Sequence, residues 1–493
     1  MARLPWRHAP SGRARVGIGV PRGPATLLAL LVATTLAAAG CGTQSPAAAL
    51  QQRLLTTADL PPGWTAVQPS QSDTRLVDTS CLSSLPARPK GLTYAVAGFV
   101  AGTAIPTLGE ALERGPQARQ TWQRLNSALA HCGSATLVIA GQKVHSTIRP
   151  LPFPRVGISS SAYAWAFTLS GVRIGFDLVL FEAGGVRGYV VYSDLGPPPI
   201  RTVRAFADAA AAKAEGKAPH LPTGLSVVWA PVQTVETSRG MVAYRSVGRG
   251  PALILITGYG GTMEGWDRQL VDTLAQHRRV VIFDNAGVGD TAALPQPLTI
   301  DAMADQTSAF ITALGLKKAD VLGWSMGGMI AQALSVRHPG QVRRLILCAT
   351  FPGDGQAVRP SQSAINALNS GDSKKVMSVL FPPDQTAAQN TALAAESSYP
   401  AASPAPAGVV AAQAKAIDAW WAGGDAAGSA TASIHVPTLI ADGTEDRLDP
   451  LGNSYALARL IPGAKLRLYP DAGHAFLFQD EASFAQTVEA FLR

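Results

Sequence analysis

Ala319-Asp320-Val321-Leu322-Gly323-Trp324-Ser325-Met326-Gly327 is the stretch whose reading decides the fold. A short apolar run of strand type ends in a glycine, passes through a serine, and continues into Met326–Arg337, which has helical composition. A chain that leaves a buried strand and enters a helix within so few residues must turn sharply. Glycine belongs at Gly323 and Gly327 because a side chain there would clash across the turn, while the serine at the apex is held in a strained backbone with its hydroxyl clear. The helix N-terminus beside it favours developing negative charge. Ser325 is therefore the candidate nucleophile, at the C-terminal edge of a sheet.

Working outward, the same rhythm recurs. Apolar runs at Ala252–Ile256, Arg279–Asp284, Ala319–Leu322 and Arg343–Ala349 alternate with amphipathic stretches at Trp266–His277, Ile300–Leu314 and Met326–Arg337. Near-continuous apolar strands between helices predict a parallel sheet covered on both faces. A hairpin is expected over Thr234–Val247, around Ser238-Arg239-Gly240.

A serine hydroxyl needs a base, and the base needs a carboxylate to hold its tautomer. His474, in Asp471-Ala472-Gly473-His474-Ala475-Phe476, follows the strand-like Lys465–Tyr469, so it is expected on a loop at a strand end, and is the candidate base. His435 precedes a strand, at the wrong edge, and His338 lies in the helix-ending His338-Pro339-Gly340. The acid is expected after the run Thr438–Ala441, in Asp442-Gly443-Thr444-Glu445-Asp446-Arg447. Asp446 is favoured, with Asp442 and Glu445 as rivals. Two backbone amides should face the developing oxyanion. Met326 follows the nucleophile, and Tyr259 lies in the glycine-rich Thr257-Gly258-Tyr259-Gly260-Gly261 after the first buried strand.

With these residues in view, residues 232–493 resemble the α/β-hydrolase superfamily, and most of all its branch of cofactor-free haloperoxidase-like esterases and lactonases. The resemblance implies a Ser325, Asp446 and His474 triad, oxyanion amides from Met326 and Tyr259, no cofactor, and a cap inserted at about 351–433. Asp284-Asn285-Ala286-Gly287-Val288-Gly289-Asp290 matches the family's loop after the next strand, with Asp290-Thr291 where serine is usual. Thr257 stands where the family usually has a loop-bracing histidine. A serine nucleophile argues against dehalogenase and epoxide hydrolase chemistry. Trp420, Trp421, Met377, Leu380 and Phe381 are candidate wall residues of a substrate pocket under the cap.

The first half reads differently. Residues 51–218 are expected to form a smaller α+β domain. It has a helix at 117–131, strand runs at Ala135–Ile148, Ala162–Phe181 and Val186–Tyr192, and a closing helix at Ile200–Lys213. That order predicts an antiparallel sheet with helices on one side. Residues 219–231 read as a linker. The first half resembles the sensor-like extracytoplasmic domains of actinobacterial lipoproteins, through its Leu60-Pro61-Pro62-Gly63-Trp64 opening, and the resemblance implies a cysteine bridge.

The N-terminus has the layout of an export signal: a basic stretch, an apolar run at Ala25–Ala39, then small residues and Cys41. Residues 1–40 are expected to be the signal and 41–50 a tether. Leu36-Ala37-Ala38-Ala39-Gly40-Cys41 resembles a bacterial lipobox, with Ala38 where leucine is usual. The resemblance implies lipidation of Cys41 and attachment to the outer face of the cell membrane, plain secretion being the alternative. The formal charge of +8 includes five leader arginines; the remaining +3 gives no reason to invoke nucleic acid. Of the four cysteines, Cys81 and Cys132 are the candidate disulfide pair for an oxidising compartment, and Cys348 is expected to be a buried, inert thiol. No cysteine or histidine spacing suggests a metal site.

These readings predict a membrane-tethered, extracytoplasmic serine hydrolase that cleaves carboxylic esters, small-molecule or lipid, through an acyl-enzyme. A reading from another class stands beside it: an envelope binding or sensing lipoprotein whose hydrolase domain is weakly active or vestigial.

Overall fold

The computed structural model describes residues 46–493 except 68–74, 79–90, 103–104, 140–141, 170, 397–398 and 400–402. The leader, Cys41 and Cys81 lie outside the described residues.

Two sheets organise the described residues. The first has nine strands: β1 (Trp64–Val67), β2 (Arg75–Asp78), β3 (Thr93–Ala101), β4 (Thr107–Arg114), β5 (Ser134–Ile139), β6 (Gln142–Pro150), β7 (Ser159–Leu169), β8 (Val172–Ala183) and β9 (Val186–Leu195). Their order is β1-β3-β4-β9-β8-β7-β6-β5-β2, and every pairing is antiparallel. Two of the expected strand runs are each two strands. The run Ala162–Phe181 is broken by a tight turn at Gly171, whose φ of 80° suits glycine, and Ala135–Ile148 divides into β5 and β6.

Helices cover both faces of this sheet, not one. On β8, Leu178 and Leu180 pack with Leu125 and Leu129 of the helix Ala118–Ala130. Alternate residues Val179 and Phe181 pack with Phe206 of the helix Ile200–Ala214. The two-residue period of a strand sends neighbouring side chains to opposite faces, so a sheet apolar on both faces needs cover on both.

The second sheet has β10 (Gln233–Thr237), β11 (Gly240–Val247), β12 (Ala252–Ile256), β13 (Arg279–Phe283), β14 (Ala319–Trp324), β15 (Val342–Cys348), β16 (Thr438–Gly443) and β17 (Lys465–Tyr469), in the order β10-β11-β13-β12-β14-β15-β16-β17. From β13 to β17 all neighbours are parallel. β12 and β14 are buried almost throughout. This is the expected parallel sheet, with the β10–β11 hairpin at its edge. The cap follows β15 as helices Gln362–Leu368, Ser373–Leu380, Thr386–Glu396, Ala407–Trp421 and Ala426–Ser429, before the chain returns to β16.

The segment read as a linker packs in its second half: Leu225, Val227, Val228 and Trp229 are buried. Val227 N–H and Ser226 Oγ donate to the buried Asp272 carboxylate at 2.7 and 2.5 Å. Cys348 is a free, buried thiol. Cys132 is buried two residues beyond the helix Ala118–Ala130.

Candidate active site

β14 delivers Ser325 to the C-terminal edge of the parallel sheet, and the helix Met326–Arg337 begins at the next residue. Ser325 has φ 57° and ψ −122°, a conformation that L-residues avoid unless the surroundings impose it. Here they do. Ser325 N–H donates to Cys348 O at 2.9 Å, and Thr350 Oγ1 donates to Ser325 O at 2.8 Å. A Cβ on Gly323 would stand 2.2 Å from Gly327 O, and one on Gly327 would stand 2.0 Å from Ile256 O. Both glycines are demanded by close approach of backbone to backbone.

Asp446 and His474 meet from separate loops. The loop after β16 carries Asp446 and the loop after β17 carries His474. Asp446 Oδ2 lies 2.7 Å from His474 Nδ1, and both side chains are buried. Asp446 Oδ1 accepts from Leu448 N–H and Asp449 N–H, each at 2.7 Å. Trp324 Nε1 donates to His474 O at 3.0 Å, tying the residue before the serine to the histidine's own backbone. Ser325 and His474 both line one cavity of about 620 Å³.

The rivals fall elsewhere. Glu445 and His435 are exposed, and His338 pairs with Asp305 at 2.8 Å. Asp442 is buried and accepts from Ser454 Oγ at 2.6 Å and Gly443 N–H at 2.8 Å. Burial, with Asp446 and Asp449 alongside, pushes its carboxyl well above the usual range.

The glycine-rich loop approaches the serine closely: a Cβ on Gly258 would be 3.1 Å from Ser325 Cβ and 3.7 Å from its Oγ. Gly260 N–H is committed to Gln413 Oε1 of the cap at 2.8 Å. Among the described residues the Tyr259 and Met326 amides have no protein acceptor. Thr257 does not leave the loop unbraced. Asn285 Nδ2 donates to Thr257 O at 3.0 Å, and Met263 N–H donates to Asp284 Oδ1 at 2.7 Å. Thr291 Oγ1 accepts from Ala243 N–H at 3.0 Å, fastening the Asp290-Thr291 end of the next loop.

The cavity walls are mostly apolar. Met377, Leu380, Phe381 and Trp421 line it as expected. Trp420 does not; it is wholly buried between cap and core, donating through Nε1 to Phe351 O at 3.3 Å. Trp421 stacks on Phe351 with ring centroids 4.3 Å apart.

Three residues at the site carry no sequence signal. Gln413 and Asn285 act through contacts 153 and 28 residues away. Asp449 lines the cavity, is buried, and accepts from Asn453 Nδ2 at 2.8 Å. Its burial, and then the neighbouring Asp446 charge, push its carboxyl well above the usual range.

A parallel sheet covered on both faces, with a serine on a strained turn at its C-terminal edge and a cap above, defines an α/β fold built for a site under that cap. Comparison with known proteins agrees. Residues 251–481 match the family model described as alpha/beta hydrolase fold. A putative carbamate hydrolase RutD of Caulobacter sp. (strain K31) is 31% identical over 261 residues, covering 50% of this chain and 95% of that protein. A 2-hydroxymuconate semialdehyde hydrolase of Pseudomonas sp. (strain CF600) is 30% identical over 285 residues, covering 53% of this chain and 96% of that protein. Among solved structures, an alpha/beta hydrolase fold protein from Chitinophaga pinensis is 29% identical, covers 53% of this chain and 97% of that chain, and has a TM-score of 0.48. The chain belongs to the α/β-hydrolase fold family.

Proposed function

We propose that the chain is a serine hydrolase that cleaves carboxylic esters of apolar acids through an acyl-enzyme. The observation that carries this reading is the carboxylate–imidazole pair at 2.7 Å beside a serine held at φ 57°, with serine and imidazole opening into one apolar cavity. His474 takes the Ser325 proton as the hydroxyl attacks the acyl carbon. Asp446 fixes the imidazole and stabilises its charged form. The amides of Met326 and Tyr259 receive the oxyanion. Collapse expels the alcohol with the proton from His474, and water activated by the same ring then releases the acid. Relatives named for a carbamate and for a semialdehyde substrate show how varied the substrates of this fold are. The apolar walls support an ester with an apolar acyl group, and a cavity of about 620 Å³ is large enough for a lipid-like one.

Export and tethering through lipidated Cys41, and a Cys81–Cys132 disulfide, belong to the same proposal. The leader pattern supports them, and the mass of the mature N-terminus tests the first. For the reaction, Ser325→Ala is expected to abolish hydrolysis of p-nitrophenyl esters and labelling by a fluorophosphonate, with the fold unchanged. Undiminished turnover by that variant sinks the proposal. Failure of the wild type to label while it binds apolar esters would favour the sensing reading.

A further inference from the structure

The cap helix Thr386–Glu396 belongs to two structures at once. It touches β8 and β9 of the nine-stranded sheet and the helix Phe476–Gln479 just after His474. Ala395 is buried within the apolar cluster of that sheet, the cluster that holds Trp165, Phe176 and Leu178, and Ala394 packs against the same cluster. Ala387 abuts the β7–β8 turn, where a Cβ on Gly171 would stand 3.1 Å from Ala387 Cα. On the other side, Ala388, Ala392 and Leu393 pack against Met377, Phe381 and Ala475. Ala392 and Ala395 line the cavity that holds Ser325 and His474. Ala395 thus sits on the seam, part of the sheet's core and part of the cavity wall.

Composition explains how one helix serves both sides. Five of its eleven residues are alanine, so it approaches the sheet closely and leaves the cavity room. An isolated helix shorter than about 12–15 residues is marginal in water, so this one depends on what it packs against. Its partners on one side come from the first half of the chain, for which the reaction itself has no use.

We infer that the N-terminal nine-stranded sheet is a specificity-determining part of the enzyme: by docking the helix Thr386–Glu396 it sets the wall against which a long apolar acyl chain lies. The inference rests on the serine hydrolase reading above. On this inference a short acyl group makes fewer contacts with this wall than a long one. The long one loses its contacts if the helix leaves the sheet.

The test uses the full chain carrying Ala394→Glu, which places a charge against the sheet's apolar cluster at a position outside the cavity lining. Hydrolysis is measured along a p-nitrophenyl series from acetate to decanoate. Fluorophosphonate labelling of Ser325 and amide hydrogen exchange in 386–396 are measured alongside. The expected result is a fall in kcat/KM for decanoate of about tenfold, carried mainly by KM, with acetate within about twofold and labelling retained. Exchange in the helix should quicken. An unchanged chain-length profile despite faster exchange overturns the inference, and so does an equal loss for every ester. An unlabelled wild type overturns the hydrolase reading and this inference with it, whereas labelling with an unchanged profile overturns the inference alone. If Ala394→Glu does not fold, Ala387→Leu, at the exposed end of the same contact, is read in the same way.

Discussion

Replacing Asp446 with asparagine tests the site through a single atom. An asparagine must decide which of its two side-chain atoms replaces which carboxylate oxygen. Oδ1 of Asp446 receives two backbone donors, Leu448 N–H and Asp449 N–H, at 2.7 Å each. An amide nitrogen there would set donor against donor twice, at about 1–3 kcal/mol for each buried group left unsatisfied. The amide oxygen therefore stays with the loop, and the amide nitrogen faces His474 Nδ1 across the 2.7 Å gap. A donor at that point requires Nδ1 to accept, which moves the ring proton to Nε2. A ring protonated at Nε2 cannot take the proton of Ser325. The geometry survives and the base is lost. Wrong-tautomer substitutions in serine triads lower kcat by about 10⁴, equivalent to roughly 5 kcal/mol of transition-state stabilisation. The assay is kcat on p-nitrophenyl butyrate with thermal unfolding run in parallel. A variant that folds normally and keeps kcat within about tenfold of wild type refutes the reasoning, because the carboxylate would then not be fixing the base.

Two further outcomes are expected. Gly258→Ala places a methyl 3.1 Å from Ser325 Cβ, and should lower kcat/KM by about tenfold through crowding of the nucleophile, with little change in thermal stability; an unaltered rate would place the reacting ester elsewhere. Glu110, wholly buried on β4, has its carboxyl pushed up to about 8 by burial. An acid raised in the folded state lends its stability fully below its unfolded pKa and loses it as pH rises towards the folded one. Wild type should therefore weaken between about pH 4.5 and 8, by an amount on the order of a few kcal/mol. Glu110→Gln, which can still accept from Leu55 N–H, should flatten that slope; parallel wild-type and variant melting curves at pH 5 and pH 8 would refute it.

Much of the second half was legible because its signals are local. The turn around Ser325 is written in two glycines at fixed distance, and the structure shows why: backbone oxygens fill the places where their side chains would stand. Asp446 and His474 could be placed because each follows a strand of the parallel sheet, which puts both at the same sheet edge. The first half was harder to read, for reasons visible in its strands. β3 and β4 carry no clean apolar alternation. Gly98 pairs with Gly109, while the charged residues Glu110 and Glu113 are buried. The pattern that marks a strand is interrupted by glycine and by buried charge. The β7–β8 hairpin turns at Gly171 without the Asn-Gly or Asp-Gly pair that announces such turns. Gln413 and Asn285 were invisible because their partners are fixed only once the cap and loops have closed.

The cover on the nine-stranded sheet is divided between the two halves of the chain, and this bears on what the first half is for. One face is closed by the helix Ile200–Ala214 in a cluster that runs on without a break through Trp229 to Trp266, Leu270 and Phe476. The other is closed by the helix Ala118–Ala130 together with the cap helix whose Ala395 also faces the cavity. Between them Arg268, buried on the helix Arg268–Leu274, pairs with the equally buried Asp194 of β9. Losing one member of such a pair strands a charge, typically at about 3–5 kcal/mol, so the contact ties the two halves together. A domain that borrows part of its cover from its neighbour is not a free module on a string. Whatever displaces the nine-stranded sheet must also disturb the helix that walls the cavity, and this direct mechanical link is the physical basis for assigning the sheet a part in substrate choice.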